Sequence, residues 1–290
     1  MRTFLFVVIL ITPFIMAFSQ EPSAYRLYRA DGTTTTFQEL LEEVAGADVA
    51  FFGELHNNPI AHWLQLELTR ALYERKGERI VLGAEMFEAD NQLILDEYLT
   101  GLVAEKSFEE EARLWKNYQT DYKPLVQLAA EHQLPFIATN VPRRYANLVY
   151  RQGIEMLDSL PAAAHRYLAP LPIPIDLELP GYKNMASMMG GHGGEDGARR
   201  LVEAQAVKDA TMAHFILTHR RPEGLFLHFN GAYHSENKEG IIWYLDHYRP
   251  GLNIVTISTV EQDTIKSLET EHLDKADFLL AVPTSMTKTY

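Results

Sequence analysis

The residues best equipped for chemistry stand at the ends of apolar runs. Val49 to Phe52 is unbroken apolar sequence, and Gly53, Glu54, Leu55 and His56 follow directly. A second run from Ile80 leads through Gly83 and Ala84 to Glu85. A third, from Pro135, ends in Asn140, and a fourth, from Leu225, ends in Asn230 with His234 close behind. Carboxylate and imidazole groups move protons near neutral pH. Two of each could also hold a first-row divalent ion such as Mn, Co or Zn without sulfur. Water on such an ion is acidified toward neutrality, with a remaining carboxylate as general base. Glu54, His56, Glu85 and His234 therefore form a candidate metal set, and Glu54, His56 and Glu85 the catalytic set of a metal-dependent hydrolase. The structural alternative is that these same groups cap helix N-termini and fix loops after strands.

Either use requires the strand ends to converge. Runs this apolar read as strands buried on both faces, as in parallel sheets. Helical patterns separate them. Thr36 to Glu39 is a capping box opening a helix through about Ala45. Asn58 and Pro59 read as N-cap and first turn of a helix to Lys76, stopped by Gly77, with Ile60, Trp63, Leu64, Leu68, Ala71 and Leu72 at helical spacing. Further strands are expected at 25–28, 253–260 and 278–282. Strands alternating with helices predict an α/β fold of three layers, α/β/α, around a mainly parallel central sheet. Ligands of such folds lie beyond the carboxyl ends of the strands.

Supporting groups can be named as well. Gln205 and Asp209 share one face of an alanine-rich helical stretch, where the pair could orient a histidine through hydrogen bonds or could equally be an internal tether with no chemistry; Asn140 and Asn230 at the strand ends are further supporting groups. From Pro170 to Gly197 the periodicity fails, and prolines then glycines dominate, which reads as a long binding loop. It carries Tyr182, Met188 and His192, whose phenol, thioether and imidazole are all kinds of haem axial ligand. His228 shares a strand face with Asn230 and reads as a buried, hydrogen-bonded histidine. His62, His132, His165, His219, His247 and His272 read as surface or capping residues.

Composition narrows the classes. The 290 residues, 47% hydrophobic, suffice for one large domain over 20–290, and no linker-like stretch divides it. Residues 1–19 have the form of a signal peptide: Arg2, an apolar core from Phe4 to Met16, then Ala17-Phe18-Ser19. Export to a periplasm or the medium is the expectation. With no cysteine there is no disulfide, no thiolate ligand, no covalent haem through sulfur and no lipid-accepting residue, so a lipoprotein is not expected. A net charge of −13 disfavours nucleic acid as a partner.

Taken in order, Gly53-Glu54-Leu55-His56, Ala84-Glu85-Met86, Thr139-Asn140-Val141-Pro142, Ala204-Gln205 with Lys208 to Ala213, and Gly231-Ala232-Tyr233-His234 resemble the ChaN-like haem-binding uptake family over roughly residues 45–260. The wider superfamily includes the Tiki and TraB metal-dependent proteases and the erythromycin esterases. The resemblance implies Glu54, His56 and Glu85 as an ancestral active centre with His234 nearby. It also implies non-covalent haem binding, often at a contact between two copies, and work with an outer-membrane haem or iron uptake system in bacterial iron acquisition.

Overall fold

The apolar runs fold as the strands of one sheet in the computed structural model, which describes residues 23–188 and 194–290. These strands are β1 (Arg26–Arg29), β2 (Val49–Glu54), β3 (Ile80–Glu88), β4 (Phe136–Asn140), β5 (Leu225–Gly231), β6 (Ile254–Gln262) and β7 (Phe278–Pro283). Their order across the sheet is β1-β7-β6-β2-β5-β3-β4. Only β1 runs antiparallel, against β7; every other pairing is parallel.

The helices divide between the faces. On one side lie α1 (Phe37–Ala45), α2 (Pro59–Lys76), α3 (Gln92–Leu99), α4 (Glu105–Glu111) and α5 (Lys123–His132). On the other lie α6 (Arg143–Gln152), α7 (Pro180–Met188), α8 (Gly194–His219) and α9 (Ile241–Tyr248). Strand alternation sorts the core accordingly: Ala50 and Phe52 of β2 pack in the first layer, Val49 and Phe51 in the second. Both faces of β2 are covered, which is why its sequence is uniformly apolar rather than alternating. This is the expected three-layer α/β/α arrangement.

Capping explains the helix ends closest to the site. The Asn58 side chain accepts from the backbone N–H groups of Ile60 and Ala61, and Pro59 occupies the first turn. At the exit of β5 the chain passes close over β2. A Cβ on Gly53 would lie 2.9 Å from Ala232 Cα, so glycine is required there.

Three expectations change. Glu54 belongs to β2 itself rather than to the following loop. The stretch expected to be a loop through Gly197 contains α7, opened by Pro180, and also the start of α8 at Gly194. Glu195 and Asp196 in the first turn of α8 complement its dipole, and Gly197 is buried within it, so glycine content misleads here. His192 and the signal-peptide residues 1–19 lie outside the described residues. Among the described residues no helix is long and apolar enough to cross a membrane.

Candidate functional site

Strands β2, β5 and β3 are neighbours, so Glu54, Gly231 and Glu85 leave the sheet side by side. Glu54 is buried and fully engaged. Its Oε1 accepts from Tyr122 Oη at 2.6 Å and lies 2.9 Å from His56 Nδ1, while its Oε2 accepts from Gln65 Nε2 at 2.6 Å. His62 Nδ1 stands 3.5 Å from the same Oε2. The His56 carbonyl accepts from Asn117 Nδ2 at 2.8 Å, and the edge of Trp115 packs on the His56 ring at 4.9 Å between centroids. With Nδ1 committed to Glu54, the His56 tautomer is set and Nε2 faces the crevice. That nitrogen approaches Gly231 so closely that a Cβ there would sit 2.8 Å away. Burial opposes charge on His56, yet the Glu54 hydrogen bond and the Glu85 carboxylate outweigh it and raise its pKa.

Glu85 sits in a chain of a different kind. Gly231 N–H donates to its Oε2 at 2.8 Å, and its Oε1 lies 3.2 Å from His234 Nε2. On the ring's opposite side Nδ1 meets Asp209 Oδ1, and Asp209 Oδ2 accepts from Tyr182 Oη at 2.8 Å. The Gln205 amide is 3.0 Å from the same Nδ1. Burial alone would discharge His234, but Glu85 and then Asp209 push its pKa up to about 10. Burial likewise penalises the Glu85 charge, and His234 reverses this, holding the carboxyl well below its usual range. The result is an imidazolium clamped between two carboxylates.

Asn140 Nδ2 donates to the Glu85 carbonyl at 3.0 Å, while its buried Oδ1 has no partner among the described residues. Asn230 faces inward: its Oδ1 accepts from His228 Nδ1 at 3.0 Å and its Nδ2 donates to Ser235 Oγ at 3.0 Å. His228 Nε2 in turn accepts from Thr139 Oγ1, and desolvation pushes this histidine down to about 4, a neutral structural ring.

The structure thus brings together Glu54, His56, Glu85, His234, Gln205 and Asp209, with Asn140 alongside. It does not bring Met188 or Tyr182 to the crevice as haem ligands. Met188 projects into solvent at the end of α7. Tyr182 is buried with its hydroxyl spent on Asp209, and that burial drives its pKa far up, so the phenolate a haem iron prefers is not on offer. The metal set is also pre-engaged, as one pair (Glu54 and His56) and another (Glu85 and His234). Among the described residues the one trio of ligand atoms within 4.8 Å of one another is Glu269, Glu271 and His272, elsewhere in the molecule.

Beyond the strand ends opens a cavity of about 880 Å³. His56 and Glu85 form its floor. Leu114, Trp115, Val141, Ala146 and Tyr150 supply apolar and aromatic wall, and Lys116, Arg143 and Lys208 stand around it as cations. Buried Glu88 binds Arg113 and Arg143, and Asp90 binds Arg113 and Arg144, which fixes the lip where β3 meets α6.

Several of these residues escape a sequence reading. His62, assigned to surface or cap, is buried, and Trp63, assigned to the core stripe, is about half exposed. One signal was present: Asn58, His62, Gln65 and Thr69 recur at helical spacing and are all buried, a polar stripe on the sheet-facing side of α2. Trp115, Asn117 and Tyr122 carry no such mark.

The chain matches the family model for haem-binding uptake proteins, Tiki superfamily, ChaN, across residues 40–245. Among solved structures it resembles ChaN of Campylobacter jejuni, described as binding haem cofacially, at 17% identity and a TM-score of 0.69, covering 88% of this chain and 96% of that one. A succinoglycan biosynthesis protein is 10% identical with a TM-score of 0.52, covering 92% and 96%. An erythromycin esterase in its open conformation is 12% identical with a TM-score of 0.47, covering 90% and 83%. No curated protein matches the sequence.

Proposed function

The chain belongs to the haem-binding uptake family of the Tiki superfamily, and from that premise we propose that the 880 Å³ crevice binds haem non-covalently. The chemistry of the lining fits. A porphyrin needs apolar walls, cations for two propionates and an axial donor, and the crevice offers Trp115, Val141 and Tyr150, then Lys116 and Lys208, then His56. The observation that carries the reading is His56. Its Nδ1 is locked on Glu54 while Nε2 stays open, the state in which imidazole serves as a ligand. Bound haem would supply an iron centre that takes a nitrogen or oxygen donor. The protein's part is to orient that donor, pair the propionates and exclude water.

Haemin added to the purified protein should give a saturable Soret shift. His56→Ala should alter the spectrum and weaken binding more than tenfold, with Tyr150→Phe compared beside it. A flat titration, or an unchanged spectrum in both variants, would remove this reading. The residues 1–19 pattern supports export, and sedimentation with and without haemin tests whether two copies pair on the ligand. Delivery to or from an outer-membrane uptake system belongs to the same proposal.

A second reading has one observation in its favour. The Glu54–His56 pair has the form of an oriented base beside Glu85. This supports a metal-dependent hydrolase of peptides or esters. Hydrolysis screens with Mn, Co or Zn, lost on Glu54→Gln and independent of haem, would establish it.

A further inference from the structure

The trio outside the crevice has its own chemistry. Residues Thr270–His272 form a tight helical turn in the connection from β6 to β7. The turn is pinned at both ends: Glu269 N–H donates to Gln262 Oε1, and Asp274 N–H donates to the Ala30 carbonyl. Glu269 and Glu271 are exposed on this turn, whereas His272 is only 6% exposed. One ligand atom from each lies within 4.8 Å of the others. Acidic groups alone would say little. The second observation is that His272 Nε2 is buried with no hydrogen-bond partner among the described residues, 3.8 Å from Glu271 Oε1. Buried polar nitrogens are nearly always satisfied, so an orphan this close to the Glu271 carboxylate marks a missing partner.

We propose that His272 Nε2, with the carboxylates of Glu269 and Glu271, binds a divalent ion of the zinc class. Imidazole with carboxylate oxygens suits zinc and its neighbours better than calcium or magnesium, which favour all-oxygen shells. Three protein ligands leave a fourth position to water. Coordination at Nε2 requires the ring proton on Nδ1. Lys275 Nζ, 3.2 Å from Nδ1, must then swing aside on its flexible stem. The site lies on a different connection from the haem crevice and stands or falls separately from it.

Zinc titration of the full chain against a competing chromophoric chelator tests the assignment. Wild type should bind one equivalent that His272→Gln loses. The Glu269→Gln, Glu271→Gln double variant changes only exposed positions, so it folds normally, and it should weaken that equivalent at least tenfold. Lys275→Ala should bind at least as tightly as wild type. No zinc bound by wild type, unaltered binding in the double variant, or weaker binding by Lys275→Ala would overturn the proposal. Haemin binding by the double variant should stay unchanged, which separates this site from the crevice.

Discussion

Two carboxylates project from one sheet on either side of β5, Glu54 from β2 and Glu85 from β3, and they are stabilised by opposite means. Glu54 is met mainly by neutral donors, the Tyr122 hydroxyl and the Gln65 amide, with His56 as its link to the crevice. Glu85 is met by the Gly231 amide and by an imidazolium that also serves Asp209. A carboxylate held by dipoles leaves its histidine open to a ligand. One held by a counter-charge depends on the partner's proton, and that partner is closed to ligands. The crevice therefore divides into a half that can bind and a half that is braced.

The strongest way to break this comparison is to remove the counter-charge. His234→Ala leaves Glu85 and Asp209 buried without their cation and should cost about 3–5 kcal/mol in chemical denaturation. A loss below about 1 kcal/mol would mean that the braced half is not ionic.

The next test is pH. His234 is raised from 6.5 to about 10, so its contribution is full below about 6.5 and declines as pH rises toward 10. The slope is up to about 1.4 kcal/mol per pH unit in that window. Glu85, being lowered, acts oppositely: its contribution is present above its ordinary 4.5 and is lost only as pH falls well below that. Denaturation midpoints from pH 6 to 10 should fall in wild type and flatten in His234→Gln.

A matched pair of smaller changes sharpens the contrast. Tyr122→Phe removes a donor from Glu54 and should cost about 1.5–3 kcal/mol, the usual range for a hydrogen bond to a charged group. Tyr182→Phe removes the equivalent donor from Asp209, which keeps His234, so about 1 kcal/mol is expected. If the order were reversed, the imidazolium would not be sharing Asp209 as described.

The sequence displayed one part of this arrangement and hid the other. Strands buried on both faces are apolar throughout, and Asn58-Pro59 or the Thr36–Glu39 box announce helix starts locally, so sheet and helices are legible. Glu54 is legible because polarity breaks sharply at the end of its strand, whereas β3 runs on past Glu85 through Met86 and Phe87 to Glu88, and Glu85 shows only as a carboxylate inside an apolar run. Their partners are not legible. Tyr122 is 68 positions from Glu54, and nothing near it in sequence shows that its hydroxyl points at a carboxylate. Tyr182, among prolines and glycines, looks like an exposed loop residue, but Asp209, 27 positions on, lets it be buried. Local pattern reports the cost of burying a polar group and not the distant group that offsets it.

The order of the strands bears on how the polypeptide is made. Residues 49–54 form the middle of the sheet, yet their hydrogen-bonding neighbours are residues 225–231 and 254–258. A chain emerging amino-terminus first must carry Val49-Ala50-Phe51-Phe52 unpaired until most of its length exists. During that interval the sheet lacks its centre, and a stretch buried on both faces in the finished fold stays uncovered.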